Sequence, residues 1–213
     1  MTENETVFSD DDVVQSVRDG HTRNFEILIN RYKNKLINFI HKMIFDYDEA
    51  QSLAQDVFLK VYESIRKYKS QDNFQAFIFT IAKNMTLNHI KKHKRVLLFS
   101  SFLPGDTEDR HFHSAETQQD EVEKSQQEEL LSAALKSLKE NQRLALIMKV
   151  YLDFSYNRIA NITGWSVPKI ETLISRAKGS LKDYIAGHTG QLGNFQEKMQ
   201  EKDNKNVLKV RVV

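Results

Sequence analysis

NFQAFIFTIAKNMTLNHIKKHKR, residues 73–95, is the stretch that decides the fold. Its apolar residues recur at intervals of three and four, which is the spacing of one face of an α-helix. That face consists of Phe74, Phe77, Ile78, Ile81, Ala82 and Met85. Phe79, amides and cations take the remaining circumference, and the stretch ends in a run of lysine, histidine and arginine. The pattern predicts an amphipathic helix, either with a solvated basic end or with aromatics and cations that serve a nucleic acid.

The composition of the whole chain favours an all-α protein. Its 213 residues are 40% hydrophobic and 28% charged, which suffices for one or two domains with a buried core. Two prolines and seven glycines are few for an all-β fold with many tight turns. The absence of cysteine excludes disulfide scaffolds, thiolate metal sites and cysteine nucleophiles, and it suits a reducing cytosol. The acidic N-terminus lacks a signal-peptide pattern and no apolar run approaches the roughly 20 residues that cross a bilayer, so we expect no membrane insertion.

Charge is distributed in blocks along the chain. Residues 23–95 carry a net charge of +7, residues 96–129 carry −7, and residues 130–186 carry +5. Two basic blocks on either side of an acidic one indicate two modules that meet a polyanion, joined by a segment that does not. The acidic segment is also poor in apolar residues, which predicts a flexible linker.

Helical periodicity recurs in both modules. It predicts helices over residues 11–19, 22–44, 49–68, 74–94, 128–138, 140–152, 156–163 and 167–185. Ser9 or Asp10 is the expected N-cap of the first, and Asp48 is the expected N-cap of the third. The fold class that follows is all-α, with two small helical domains joined by the acidic linker.

The end of the second module has the layout of a helix-turn-helix. Ser155 caps a short helix, Gly164 supplies the turn, and Ser166 and Pro168 begin a longer helix. Polar and cationic residues of the longer helix lie outside its apolar stripe, where they could contact phosphates and base edges: Lys169, Thr172, Ser175, Arg176 and Lys178. A helical hairpin within a larger bundle is the alternative.

Three blocks together resemble the sigma-70 family of transcription initiation factors. DEAQSLAQDVF, residues 48–58, resembles the polymerase-clamp helix, whose pattern is roughly [DE]-[DE]-A-E-D-L-V-Q-E-V-F. Residues 73–95 resemble the adjoining minus-10 region, F-R-A-W-L-Y-x-I-A-R-N followed by R-R. Residues 138–178 resemble region 4, especially S-Y-x-E-I-A-x-x-x-G-x-S-V. The order of the blocks, and the absence of a region 3 domain, are similar to the extracytoplasmic-function (ECF) group.

The resemblance implies a division of the chain into five parts. These are an N-terminal segment (1–22), sigma region 2 (23–97), the acidic linker (98–129), the helix-turn-helix of sigma region 4 (130–186) and a C-terminal tail (187–213). Region 2 would bind core polymerase and melt the minus-10 element, and region 4 would read the minus-35 element. In the family the linker threads through the polymerase, and a flexible polyanion suits a channel built for nucleic acid.

The resemblance also implies roles for individual residues. Polymerase contacts are implied at Asp48, Leu53, Gln55, Asp56 and Phe58, with the apolar pair packing and the polar residues facing the polymerase. Minus-10 contacts are implied at Tyr68, Lys69, Asn73, Phe74, Phe77, Lys83, Asn84, Lys91, Lys92 and Arg95. Minus-35 contacts are implied at Ser166, Lys169, Thr172, Ser175, Arg176 and Lys178.

Some positions depart from the family pattern. Gln75 and Phe77 stand where the minus-10 helix has arginine and tryptophan. Glu171 and Leu173 stand where the recognition helix has lysine and arginine. Because each lost phosphate contact weakens binding to DNA, we expect weaker minus-35 binding than is usual in the family.

The partners that follow are core RNA polymerase (the clamp coiled coil of its largest subunit, and its flap), promoter DNA and an anti-sigma factor, in a bacterial cytoplasm. A stand-alone helix-turn-helix regulator using only residues 130–186 is the alternative function. The sequence contains none of the catalytic motifs that we sought, so we expect no enzyme and no cofactor. His89 and His93 have metal-ligand spacing but lie in a cationic run, and His111 and His113 lie in the acidic linker, so we expect no metal site.

Overall fold

The computed structural model describes residues 8–69, 73–100 and 129–188, and every regular element in these ranges is a helix. The α-helices are α1 (Asp10–Arg18), α2 (Phe25–Ile44), α3 (Tyr47–Ser64), α4 (Phe74–Ser100), α5 (129–137), α6 (Glu140–Val150), α7 (Tyr156–Thr163) and α8 (Val167–His188). Short 3₁₀ turns span Thr22–Asn24 and Ile65–Lys67. The predicted all-α fold is confirmed. The greater part of the acidic linker, the C-terminal tail beyond residue 188 and residues 70–72 lie outside the described ranges.

Helices α1 to α4 form a first bundle around apolar stripes that the sequence predicts. Its fully buried members are Leu28, Leu36, Phe39, Ile40, Met43, Ala50, Val57, Val61, Ile78, Phe79 and Ala82. The stripe of α2 packs against α3 and α4, and α3 packs against α4. Burial of these side chains is the main stabilising contribution in such a bundle.

Helix α1 belongs to this bundle. Ser9, one of the two N-caps expected from the sequence, is its N-cap in a capping box with Asp12, and Val13, Val14 and Val17 are buried. Arg31 Nη1 donates to Asp10 Oδ1 at 2.8 Å, and the hydroxyl of Tyr32 donates to the same carboxylate. These contacts attach the N-terminal segment to α2.

The predicted bounds of α3 and α4 are wrong at three helix ends. Helix α3 begins at Tyr47 with Asp46 as its N-cap, because Phe45 adopts a left-handed conformation (φ 61°) that ends α2 and leaves Asp46 extended. It ends at Ser64, where a 3₁₀ turn takes over, and not at residue 68. Helix α4 continues to Ser100, beyond the predicted end at residue 94, since neither glycine nor proline interrupts the sequence there.

Helices α5 to α8 form a second bundle that contains the predicted helix-turn-helix. Ser155 accepts a hydrogen bond from the backbone of Arg158 at 3.2 Å, and Gly164 ends α7 in a left-handed conformation at φ 72°. Helices α7 and α8 then pack through buried Ile159, Ile162, Ile170, Ile174 and Ala177. Within the described ranges, no helix is long and apolar enough to span a membrane.

The two bundles pack against each other. Helix α7 contacts α4, and α6 contacts α2. Consequently α4, the helix on which the sequence analysis centres, is covered from two sides.

Candidate polymerase and nucleic-acid interfaces

The predicted polymerase-contacting residues divide between the core and the surface of α3. Leu53 and Phe58 are each 8% exposed and pack in the first bundle. Asp48, Gln55 and Asp56 are exposed. This division follows the prediction, which assigned packing to the apolar pair and contact to the polar residues.

Two further residues of α3 extend the exposed surface. Leu59 is 63% exposed and Tyr62 is 40% exposed, and both lie on the side of Gln55, four and seven residues further along the helix. Tyr62 keeps this exposure although its ring packs edge to face with Phe25, with ring centroids 5.2 Å apart. The period of 3.6 residues from Gln55 was the signal that could have identified this pair. We call the exposed side of Gln55, Asp56, Leu59 and Tyr62 the α3 face.

Two of the aromatic residues predicted to contact the minus-10 element lie in the core. Tyr68 is 3% exposed and Phe74 is 2% exposed, and their rings meet edge to face at 5.6 Å. Neither ring is available for stacking on a base in this structure, because the junction between the 3₁₀ turn and α4 packs its aromatics inward. Phe79, which the helical pattern placed outside the apolar stripe, is also fully buried, between Phe39 and Phe154.

Helix α1 holds this junction in place. Arg18 donates from Nη2 and Nε to the carbonyl of Ile65, at 2.7 and 3.1 Å, and from Nη2 to the carbonyl of Tyr68. The hydroxyl of Tyr68 donates to Asp11. The backbone that leads into Lys69 is therefore fixed by a helix that the sequence analysis treated as a separate segment.

The remaining predicted minus-10 residues differ in exposure. Those open to solvent are Lys69, Asn73, Asn84, Lys91, Lys92 and Arg95. Asn73 adopts a left-handed conformation (φ 51°), and its side-chain oxygen accepts from the backbone of Gln75 at 3.1 Å at the start of α4. Phe77 and Lys83 are only partly exposed, because the second bundle lies over them.

Helix α7 and the turn before it make direct contacts with α4. Lys83 Nζ donates to the carbonyl of Ile162 at 2.9 Å, and burial lowers the pKa of its ammonium group. Arg158 Nη1 donates to Gln75 Oε1 at 2.5 Å. Phe79 and Phe154 pack edge to face, with ring centroids 5.2 Å apart and planes at 84°.

A second set of contacts surrounds the C-terminus of α2. Lys136 Nζ lies 5.1 Å and the guanidinium of Arg143 lies 4.9 Å from the ring centre of Phe45. Lys42 Nζ lies 4.2 Å from the ring centre of Tyr151. Arg143 is 8% exposed, and desolvation lowers its pKa. Cation–π contacts of this kind favour the docked arrangement of the bundles.

An open cleft of about 700 Å³ also lies between the bundles. Its lining includes Asn73, Phe77, Thr80, Asn157, Arg158 and Asn161. The cleft adjoins the start of α4. It therefore lies between the residues that are predicted to contact the minus-10 element and the helix-turn-helix.

The predicted minus-35 residues share the outer surface of α8 and the turn before it. Ser166, Lys169, Thr172, Ser175, Arg176 and Lys178 are all exposed. Lys169 Nζ lies 5.0 Å from the ring centre of Trp165, a residue of the turn that the sequence analysis did not assign. Glu171 is exposed on the same helix and adds a negative charge to this outer surface, whereas Leu173 is partly buried against the core.

Comparison with known protein families decides the identity. Residues 28–96 match the family described as Sigma-70 region 2, and residues 128–181 match Sigma-70, region 4. The two matches fall on the first and second bundles in the order predicted from the sequence. The chain belongs to the sigma-70 family, in its ECF group.

Named relatives of this sigma factor agree with the assignment. It is 26% identical over 176 residues to RNA polymerase sigma-H factor of Pseudomonas aeruginosa, with 81% of this chain and 91% of the relative covered. It is 24% identical over 181 residues to ECF RNA polymerase sigma-E factor of Haemophilus influenzae, with 83% and 95% covered.

Solved structures share the fold of this sigma factor. The sigma factor RpoE of Bartonella quintana, solved with the anti-sigma factor NepR, aligns with a TM-score of 0.62 and 24% identity over 77% of this chain and 98% of its own. CnrH, solved with the cytosolic domain of CnrY, aligns with a TM-score of 0.61 and 16% identity over 82% and 96%. The alternative of a stand-alone helix-turn-helix regulator leaves the region 2 match unexplained, so the sigma-factor interpretation stands.

Proposed function

We propose that this sigma factor binds core RNA polymerase through the α3 face, opens and reads the minus-10 element with residues 66–95, and reads the minus-35 element with α8. The observation that carries the proposal is the α3 face itself. Leu59 and Tyr62 are large apolar side chains exposed beside Gln55 and Asp56, and exposed apolar surface rimmed by polar groups is typical of protein–protein contacts. The clamp coiled coil of the largest polymerase subunit is the partner for this face, and the flap is the partner for region 4.

The proposed working parts are region 2 over 23–97 and region 4 over 130–186, with the linker 98–129 between them. We include α1 with region 2, because Arg18 and Asp11 hold the segment that precedes Lys69. The exposed cations Lys69, Lys91, Lys92 and Arg95 track the DNA backbone, and Asn73 and Asn84 offer amide groups to unpaired bases. The factor has no catalytic chemistry of its own and acts in the bacterial cytoplasm.

The docked arrangement of the bundles is a closed form in this proposal. Minus-10 and minus-35 elements lie about 25 base pairs apart, which is roughly 85 Å of duplex at 3.4 Å per base pair. In the closed form α7 touches α4, and Lys83 is engaged with Ile162. One molecule therefore cannot read both elements until region 4 leaves α4, and polymerase binding supplies the energy for that separation.

An anti-sigma factor is the second proposed protein partner. Among solved structures of the same fold, RpoE is bound to the anti-sigma factor NepR, and CnrH is bound to the cytosolic domain of CnrY. A partner that covers the α3 face and stabilises the closed form would exclude polymerase and DNA together. That partner would therefore compete with core polymerase for the α3 face.

Co-purification with core polymerase tests the proposal. The wild-type chain is expected to bind, and a variant combining Gln55→Ala with Asp56→Arg is expected to lose binding. Leu59→Ser is expected to weaken it, because it removes an exposed apolar contact without touching the core. Lys182→Gln, on the exposed side of α8, is the matched control. Failure of the wild-type chain to bind core, or undiminished binding by the α3 variants, would contradict the proposal.

A further inference from the structure

The start of α3 and the C-terminal half of α4 bring three metal-binding side chains together. Glu49, His89 and His93 each present a ligand atom, and these atoms all lie within 4.8 Å of one another. His89 Nδ1 is 3.5 Å from Glu49 Oε1, and the two imidazole rings lie with their centres 4.4 Å apart. The geometry points to a binding site for a divalent transition-metal ion of the zinc class, held by these three residues.

The ligand set supports this assignment. Two histidines four residues apart on one helix face, joined by a carboxylate from another segment, make up a His₂Glu set, which holds zinc in several metalloproteins. Imidazole nitrogen with one carboxylate oxygen suits Zn²⁺, Ni²⁺, Co²⁺ and Cu²⁺, and it is a poor set for Mg²⁺ or Ca²⁺. Three protein ligands leave a coordination position for water.

The distances require only small movements. Bonds of about 2.0–2.1 Å in a tetrahedral site put ligand atoms roughly 3.3 Å apart. The distance of 3.5 Å between His89 and Glu49 is already close to that value. Glu49 and His93 are exposed, so their side chains can rotate inward without disturbing the core. His89 is the more enclosed ligand, with 16% of its side chain accessible, and would anchor the site.

The cationic run around the histidines led the sequence analysis to expect no metal. The fold changes that balance by placing the carboxylates of Glu49 and Asp46 near His89, where they offset the charge of Lys92. Lys91, Lys94 and Arg95 are exposed, where water and salt screen their charge. Forty residues separate Glu49 from His89 in sequence, so no local pattern reveals the third ligand.

A metal here would be structural. Ile90 follows the first histidine, where H-E-x-x-H hydrolases have the glutamate that acts as general base. The ion would link the first turn of α3 to the C-terminal half of α4. The site does not depend on the proposed polymerase and promoter contacts, since none of its ligands is assigned to them.

Calorimetric titration of the tag-free, full-length chain with ZnCl₂ tests the site, and CoCl₂ provides a spectroscopic probe. We expect one Zn²⁺ per chain, a higher midpoint of thermal unfolding with Zn²⁺, and cobalt absorption bands of a four- or five-coordinate ion. His93→Gln and Glu49→Gln are each expected to lower the affinity at least about tenfold. Both residues are exposed, so these variants keep the fold, which circular dichroism verifies.

The other histidine pair of the chain provides the matched control. A variant combining His111→Gln with His113→Gln is expected to bind Zn²⁺ as the wild type does. The inference is overturned if the wild-type chain binds no Zn²⁺ at micromolar concentration. It is equally overturned if binding disappears in the control variant, or survives in both His93→Gln and Glu49→Gln.

Discussion

The contact between Phe79 and Phe154 provides a measure of how firmly region 4 is docked on region 2. Phe79 lies on α4 and Phe154 lies in the turn before α7, and both are fully buried. We propose to replace each by leucine, singly and together. Leucine keeps most of the buried apolar surface and removes the ring-to-ring contact, so folding is preserved while the pair interaction is lost.

The geometry sets the expected magnitude. The ring centroids are 5.2 Å apart and the planes meet at 84°, which is an edge-to-face arrangement. Such pairs are worth about 0.5–1.5 kcal/mol beyond their buried area. The double-mutant cycle is therefore expected to give a coupling free energy of about 1 kcal/mol, which corresponds to a roughly fivefold shift from the closed form toward the open one.

Urea unfolding of the four proteins, followed by circular dichroism, measures the coupling. A parallel cycle on Phe39 and Phe79 is the control, because that pair lies within region 2 at 5.6 Å and 82° and does not depend on docking. The closed form would be refuted by two results together. The control pair would show coupling, while the changes in unfolding free energy caused by the Phe79 and Phe154 substitutions would add within about 0.3 kcal/mol. If the closed form is correct, Phe154→Leu is also expected to raise the apparent affinity for core polymerase, because less free energy is spent on opening.

Three further predictions follow from single contacts. Tyr68→Phe removes the hydrogen bond from the phenol to Asp11 and is expected to lower the free energy of unfolding by about 1–2 kcal/mol, measured in urea; an unchanged value would show that this bond does not stabilise the junction. Arg143→Met is expected to change the free energy of unfolding by less than about 1 kcal/mol. The lost cation–π contact with Phe45 is offset by removing a desolvated charge whose Nε has no hydrogen-bond partner among the described residues, and a loss above about 2 kcal/mol would contradict this balance. Glu171→Lys is expected to tighten minus-35 binding and to steepen its dependence on log salt by about 0.9, measured by fluorescence anisotropy in increasing KCl, and an unchanged slope would place this residue away from phosphate.

Local chemistry made much of the fold predictable. The Ser155 cap and the left-handed Gly164 each depend on a few neighbouring residues, so the sequence identifies them directly, and it narrows the first N-cap to Ser9 or Asp10. The start of α3 was mistaken because Asp46 and Asp48 are equally good caps by residue type. The left-handed backbone of Phe45 determines that Asp46 is the N-cap, and no side-chain pattern predicts that conformation.

The burial of Phe79 could not be predicted from helical periodicity. Its position lies off the apolar stripe that packs α4 into region 2, and the stripe alone predicts an exposed ring. The ring is covered because Phe154, 75 residues further along the chain, packs over it. An aromatic residue off the main stripe was the available signal, and it was compatible with both nucleic-acid stacking and a second packing surface.

The division of α3 between core and surface was predictable except at Leu59 and Tyr62. Gln55 and Asp56 were expected to face a partner, and they are exposed. Helical spacing places Tyr62 next to buried Phe58 and Val61, yet its side chain is 40% exposed in the last turn of α3. The exposure of a side chain at the margin of a bundle depends on where the neighbouring helices end. The hydrophobic periodicity of one helix does not contain that information.

Transcription by reconstituted holoenzyme is the most direct test of the central claim. Core RNA polymerase is incubated with and without the chain on fragmented genomic DNA, and the 5′ ends of the transcripts are mapped. We predict discrete starts that require the chain, share sequence elements about 10 and 35 base pairs upstream, and disappear with the Gln55→Ala, Asp56→Arg variant. Transcripts identical to those of core alone, or starts that the variant supports as well as the wild type does, would contradict the account.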